Sequence, residues 1–264
     1  MRKSVTSIKD IIETLEHFAP LPLQEDWDNA GLQIGLTETD TSGVLLCLDV
    51  TEQVVDEAIS KQCNLIVSHH PLLFRGLKQI SDADYIQRVV IKAIKSGLAI
   101  VSMHTNLDNA AGGVNWKIAE KLGLVNVQFL TNNADTESGS GAIGELAQPV
   151  EAKDFINKVK TAFECECVMT NELLARPIQR VALCGGAGAF LLNEAITQKA
   201  DAFLTGEMHY HEYFGREQQI QIAVIGHYES EHFTAEIFKD YLKEQYPSLH
   251  LEISKTITNP IRYW

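Results

Sequence analysis

Nine histidines are spread over the 264 residues, and several stand where a metal ion would want them. His69 and His70 come directly after the apolar run Leu65-Ile66-Val67, in Ser68-His69-His70-Pro71. His104 and Asp108 follow the next such run, in His104-Thr105-Asn106-Leu107-Asp108. His227 and Glu231 follow a third, four residues apart, a spacing that puts both on one face of a helix. Imidazole nitrogen mixed with carboxylate oxygen suits Zn²⁺, Mn²⁺ or Fe²⁺ better than Mg²⁺ or Ca²⁺, which prefer oxygen alone. Five such groups, His69, His70, Asp108, His227 and Glu231, are too many for a closed tetrahedral zinc. They match two divalent ions with open positions, where a bridging water can serve as hydroxide near neutral pH. Each group alone has a plainer explanation, either unrelated loop histidines or a surface His/Glu pair on a helix. Their shared placement at the ends of apolar runs sets them apart.

A second cluster, Gly206-Glu207-Met208-His209-Tyr210-His211, also follows an apolar run. His209 and His211 can orient ligands, donate a proton, contact substrate, or sit idle on a polar loop. His104 is either a further ligand or a group that orients Asp108. Gly185-Gly186-Ala187-Gly188 lies between a strand and a helix, but Phe190 breaks the GxGxxG spacing, so a tight turn explains it better than a dinucleotide site. No P-loop and no GxSxG elbow occurs.

The elements that must position these residues read as strand and helix in alternation. Ile8, Ile11, Ile12, Leu15 and Phe18 recur at helical spacing until Pro20, with Thr6 or Ser7 able to cap the start. Continuous apolar runs at 44–48, 65–67 and 98–103 predict strands covered on both faces, with helices from Thr51 and over 85–95 between them. After residues 131–141, which are almost devoid of apolar side chains, the pattern resumes. Strands are expected at 142–146, 165–169, 178–184, 202–204, 222–225 and 249–253, with Cys165 and Cys167 alternating along the second of them. The fold class is therefore α/β, two lobes with mostly parallel sheets, at 1–130 and 131–264, the last segment being free to interleave with the first lobe. In open sheets of this kind ligands collect at the carboxyl ends of strands, where these histidines fall.

Lys and Arg total 22 against 35 Asp and Glu, a formal charge of −13, which argues against nucleic acid as the partner. No run is long enough to span a membrane, and the first twenty residues read as an amphipathic helix rather than a signal peptide. Five cysteines with no CxxC pair suit reduced thiols and a cytoplasmic protein.

The motifs Trp27-Asp28-Asn29-x-Gly31-Leu32, Ser68-His69-His70-Pro71, His104-Thr105-Asn106-x-Asp108, Asp201-x-x-x-Thr205-Gly206-Glu207 and Gly226-His227-Tyr228-x-x-Glu231 occur in this order. In them the chain resembles the GTP cyclohydrolase 1 type 2 homologues, the interacting-factor-three-like family of dinuclear-metal proteins. The resemblance implies two divalent ions per chain (Zn, Mn or Fe) in a cleft between two α/β lobes, with ligands at His69, His70, Asp108, His227 and Glu231. It further implies a toroidal homohexamer, and a short form, because the span between Asp108 and His227 leaves no room for the domain some members insert. The implied reaction is hydrolysis of a nucleotide-like C–N bond in a small molecule. Hydroxide would attack C8 of the guanine ring of GTP, with His104, His209 and His211 carrying protons. The alternative is a metal-binding regulatory or scaffold protein whose ring-shaped oligomer has no turnover of its own.

Overall fold

A computed structural model describes residues 6–132 and 138–264. Contacts divide the chain into two compact units, Met1–Leu107 with Phe233–Trp264, and Asp108–His232. The first unit opens with α1 (Ile8–Phe18), where Ser7 and Asp10 cap each other reciprocally. It continues with β1 (Gly31–Ile34), β2 (Val44–Cys47), α2 (Glu52–Ser60), β3 (Leu65–Ser68), α3 (Tyr85–Lys95) and β4 (Ala99–Ser102). The side chains of Thr51 and Asp84 accept from backbone amides at the starts of α2 and α3. The single turn α4 (Thr105–Asp108) then ends the first pass through this unit.

The second unit holds α5 (Val114–Lys121), β5 (Leu124–Phe129), β6 (Ala142–Val150), α6 (Ala152–Ala162), β7 (Met169–Thr170) and β8 (Ile178–Cys184). It is completed by α7 (Leu192–Thr197), β9 (Ala202–Thr205), β10 (Gln221–Val224) and α8 (His227–Glu231). With α9 (Thr234–Gln245) and β11 (Leu251–Ile253) the chain returns to the first unit.

The first sheet runs β1-β4-β3-β2-β11, parallel throughout except for β1 at its edge. Every residue of β2, β3 and β4 is buried, as their unbroken apolar runs require. Leu45, Ile66 and Ile100 lie in register on one face, in a core with Val54, Val55 and Ala58 of α2 and Val89, Val90 and Ala93 of α3. The second sheet runs β5-β6-β8-β9-β10-β7, with a parallel centre of β8, β9 and β10 and antiparallel flanks. Its core gathers Ile143, Ala182, Phe203 and Ile222 with Leu191, Leu192 and Ala195.

The contact-based division falls at 107/108. The apolar-poor connector joins β5 to its antiparallel neighbour β6, Leu124 lying opposite Leu146 and Phe129 opposite Ala142. Positions 133–137 of that connector lie outside the described residues. The expected strand at 165–169 is corrected. Glu164 takes φ +52 as α6 ends, so the backbone turns there and only Met169 and Thr170 pair, with β10. Cys165 is buried and Cys167 exposed. Among the described residues no helix is long and apolar enough to cross a membrane.

The segment after β11 is fastened to α2 by one carboxylate. Glu57 accepts from Ser254 Oγ (2.6 Å), Thr256 Oγ1 (2.8 Å) and the amides of Lys255 (2.9 Å) and Thr256 (3.2 Å). Burial disfavours its charge, but these donors outweigh burial and hold its pKa down to about 2 from 4.5. A depressed carboxylate stabilises the fold fully above its unfolded pKa and loses that contribution as pH falls through the folded one. Glu57→Gln should therefore lower the unfolding free energy by about 2 kcal/mol in urea melts near neutral pH. The deficit relative to the native chain should shrink as pH is lowered from about 4.5 towards 2. Equal stability of the two proteins at neutral pH would contradict this anchoring.

Candidate metal centre

At the carboxyl end of the first sheet the backbone leaves β3 and turns at once. The amide of His70 donates to Leu48 O (3.0 Å), and that of His69 to Leu48 O (3.1 Å) and Cys47 O (3.2 Å). Beneath the turn, Ser68 Oγ meets Ser102 Oγ at 2.9 Å, and both hydroxyls reach His70 O, at 2.9 and 3.3 Å. Neighbouring side chains on a strand point to opposite faces. Because pairing stops at Ser68, His69 and His70 escape that rule, and their ring centroids lie only 5.0 Å apart. His104, just past β4, completes a triangle with centroids 5.2 Å from His69 and 5.5 Å from His70. A ring nitrogen of each lies within 4.8 Å of the other two.

Each imidazole rests on a partner that can only accept. His69 Nδ1 lies 2.8 Å from Met103 O, His70 Nδ1 2.7 Å from Asp49 Oδ1, and His104 Nδ1 2.8 Å from Asp28 Oδ1. A carbonyl or an ionised carboxylate cannot donate, so Nδ1 carries a proton in every case, and in the neutral ring the lone pair is then on Nε2. This is the tautomer that would let Nε2 bind a metal, with the outer neighbour holding the ring through Nδ1. Asp28 has no exposed side-chain surface. Burial works against its charge, but His104, Thr105 Oγ1 and nearby backbone donors hold its carboxyl at about 2. Burial likewise opposes the charge on Asp49, and His70 with the hydroxyl of Thr258 keeps that carboxyl below its ordinary value. His69 is wholly buried and His104 is 9% exposed, so water competes little for these rings.

In the second unit α8 begins at His227 immediately after Gly226, and the four-residue spacing acts as the sequence implied. His227 Nε2 lies 3.1 Å from Glu231 Oε2, and its Nδ1 lies 3.0 Å from Glu207 Oε1. Glu231 is 3% exposed, and the glycine turn after β8 makes room for it. A Cβ on Gly186, which has φ +56, would fall 2.5 Å from Glu231 Oε1. The amides of that turn are occupied by side chains: Gly185 N donates to Asn115 Oδ1, Gly186 N to Ser230 Oγ and Gly188 N to Thr205 Oγ1. The turn is thus a packing device, not an anion cradle. Burial, followed by the charges of Asp108 and Glu231, raises the pKa of the Cys184 thiol, so both carboxylates bear on the end of β8.

His209 and His211 are exposed and join neither group. His209 caps the short turn Tyr210–Tyr213, its amide donating to Glu212 Oε2 at 2.6 Å. The His211 ring lies among those of Tyr210 and Phe214. His104 Nδ1 is directed to Asp28, so it is Asp28 that His104 pairs with through this nitrogen. Asp28, Asp49 and Glu207 were not singled out as site residues from the sequence. Asp49 had the same signal as the others, a carboxylate just past an apolar run, while Asp28 and Glu207 lay inside recognised motifs.

If Asp49 sets the tautomer of His70, weakening it must weaken metal binding without unfolding the chain. Asp49→Asn should lower zinc affinity about 10- to 100-fold in calorimetric titrations, with an unchanged circular dichroism spectrum. Native affinity in this variant would rule out this role.

A family model described as Duf34/NIF3 (NGG1p interacting factor 3) matches residues 6–260. A Clostridium acetobutylicum protein named GTP cyclohydrolase 1 type 2 homolog is 34% identical, over 85% of each chain. A Clostridium perfringens protein of the same name is 32% identical, over 97% of this chain and 99% of its own. Among solved structures, the crystal structure of Staphylococcus aureus protein SA1388 superposes with a TM-score of 0.91 at 26% identity, covering 99% of this chain and 100% of that one. With the family model spanning nearly every residue and the likeness running through both units, the chain belongs to the Duf34/NIF3 family.

Proposed function

We propose that the protein is a divalent-metal-dependent hydrolase acting on a small nucleotide-like molecule. His69, His70, Asp108, His227 and Glu231 are then the ligands of two ions of zinc, manganese or iron. The observation that carries this reading is the triangle of imidazoles, two buried and His70 partly exposed, each with Nδ1 on an acceptor. Crowding three imidazoles with a ring nitrogen of each within 4.8 Å of the others gains a protein little by itself, whereas a cation held by His69 and His70 beside the proton-accepting His104 gives the cluster a use. The nearly buried Glu231 beside His227 adds the anionic oxygen that such a donor set favours.

A divalent ion held there supplies Lewis acidity to the substrate and makes water easier to deprotonate. The chain's own groups handle protons and position. His104 can accept a proton at Nε2 while Asp28 stabilises the imidazolium from the other side. His209 and His211 are exposed to solvent, and in this reading they exchange protons with bulk water. Glu207 fixes the ring of His227. The names of the relatives suggest GTP as the first substrate to try, with ring opening at a C–N bond. We also propose that the chain assembles as a homohexamer in the cytoplasm, where its five free cysteines stay reduced.

The test is metal analysis of protein purified without chelator, followed by GTP turnover after metal is restored. About two transition-metal ions per chain are expected, and Glu231→Gln should lose bound metal with its circular dichroism unchanged. A folded protein with no affinity for divalent metal would overturn the site. A fully loaded protein that leaves GTP intact would overturn the cyclohydrolase reading and favour a metal-binding scaffold.

A further inference from the structure

Two large aromatic side chains beside the imidazole triangle are left uncovered. Trp27 is 63% exposed and Phe74 47% exposed. Both rings touch His104, with centroids 5.9 and 5.4 Å away and planes inclined at 75° and 90°. Scattered exposed aromatics are ordinary on protein surfaces, but two that frame the same buried histidine are not scattered.

Neither sits on loose chain. The residue after Trp27 is Asp28, whose fully buried side chain is bound to His104 and Thr105, and Glu25 N donates to Thr105 Oγ1 at 2.9 Å. The residue before Phe74 is bonded through both backbone groups. Leu73 N donates to Gln33 Oε1 at 3.1 Å, and Asn29 Nδ2 donates to Leu73 O at 2.6 Å. Gln33 Nε2 in turn donates to Asn29 O at 2.7 Å, so one small network braces both loops. Rings held on fixed backbone lose little freedom when a ligand covers them, which is what a binding platform requires.

We propose that Trp27 and Phe74 form a platform for a flat heteroaromatic ring, presenting it to the imidazole triangle. The proposal rests on that triangle being the active site. It makes the substrate of that site a free small molecule with a nucleobase-like ring. Stacking on an aromatic face is tolerant of which base is bound, so the platform selects the class of ring rather than one compound. A base within a nucleic-acid strand offers the same face, but the charge of −13 favours the free molecule.

The test uses the full chain with Trp116→Phe and Trp264→Phe, which leaves Trp27 as the single indole. The zinc-supplemented protein is titrated with guanosine, with ribose and with an oligothymidylate. Saturable quenching of Trp27 emission by guanosine but not by ribose is expected. Phe74→Leu should weaken guanosine binding about tenfold or more, and Trp27→Ala should do the same by equilibrium dialysis, while zinc content stays unchanged. Zinc stoichiometry and guanosine binding are read separately, so a protein that fails to hold zinc yet binds guanosine sinks the metal reading and spares the platform. No saturable quenching by guanosine overturns the proposal, as does an equal response to ribose or quenching by the oligonucleotide alone. A Trp27 emission that changes with protein concentration, and not with guanosine, would assign the two rings to contact with a second copy.

Discussion

Everything at the candidate centre depends on the direction in which three histidine rings carry their protons. A neutral imidazole offers one donor and one lone pair, and the partner of one nitrogen decides what the other can do. His69, His70 and His104 all spend Nδ1 on groups that only accept, the carbonyl of Met103 and the carboxylates of Asp49 and Asp28. Low exposure keeps water from competing for those bonds, and packed neighbours keep the rings from turning. In the neutral form of each ring the lone pair is then on Nε2.

The fold supplies this arrangement through the ends of its parallel strands. Continuous burial pins β2, β3 and β4 in register, so Ser68 and Ser102 reach the same level and close a hydroxyl pair under the His70 turn. Asp49 comes from the end of β2, and its second oxygen is held by Thr258 from the segment that follows β11. Glu57 fastens that same segment four residues earlier, through Ser254. The tail of the chain is thus part of the support for His70. In the second unit the same economy appears around Glu231, where a glycine with a left-handed backbone opens the space that a buried carboxylate needs.

The parts of this that could be read from sequence are those in which local pattern and global fold agree. Strands 44–48, 65–67 and 98–103 announced themselves because burial on both faces leaves an unbroken apolar run. The histidines at their ends, and the His227/Glu231 pair on a helical turn, followed from position alone. β5 was missed because its residues are largely exposed, and the turn at Glu164 because a left-handed residue there has no glycine to announce it. The carboxylates that orient the rings were harder for a different reason. Asp28 and His104 are 76 residues apart, and Asp49 and His70 are 21 apart, so no spacing rule connects them.

The most direct test of the account is a long-range nitrogen–proton correlation spectrum of the histidine side chains in metal-free protein near pH 7.5. His69, His70 and His104 are expected to carry a proton on Nδ1, and the Nε2 nitrogen shifts of His69 and His70 are expected to move when zinc is added. Finding the proton on Nε2 in these three rings, or His69 and His70 Nε2 shifts indifferent to zinc, would contradict the arrangement.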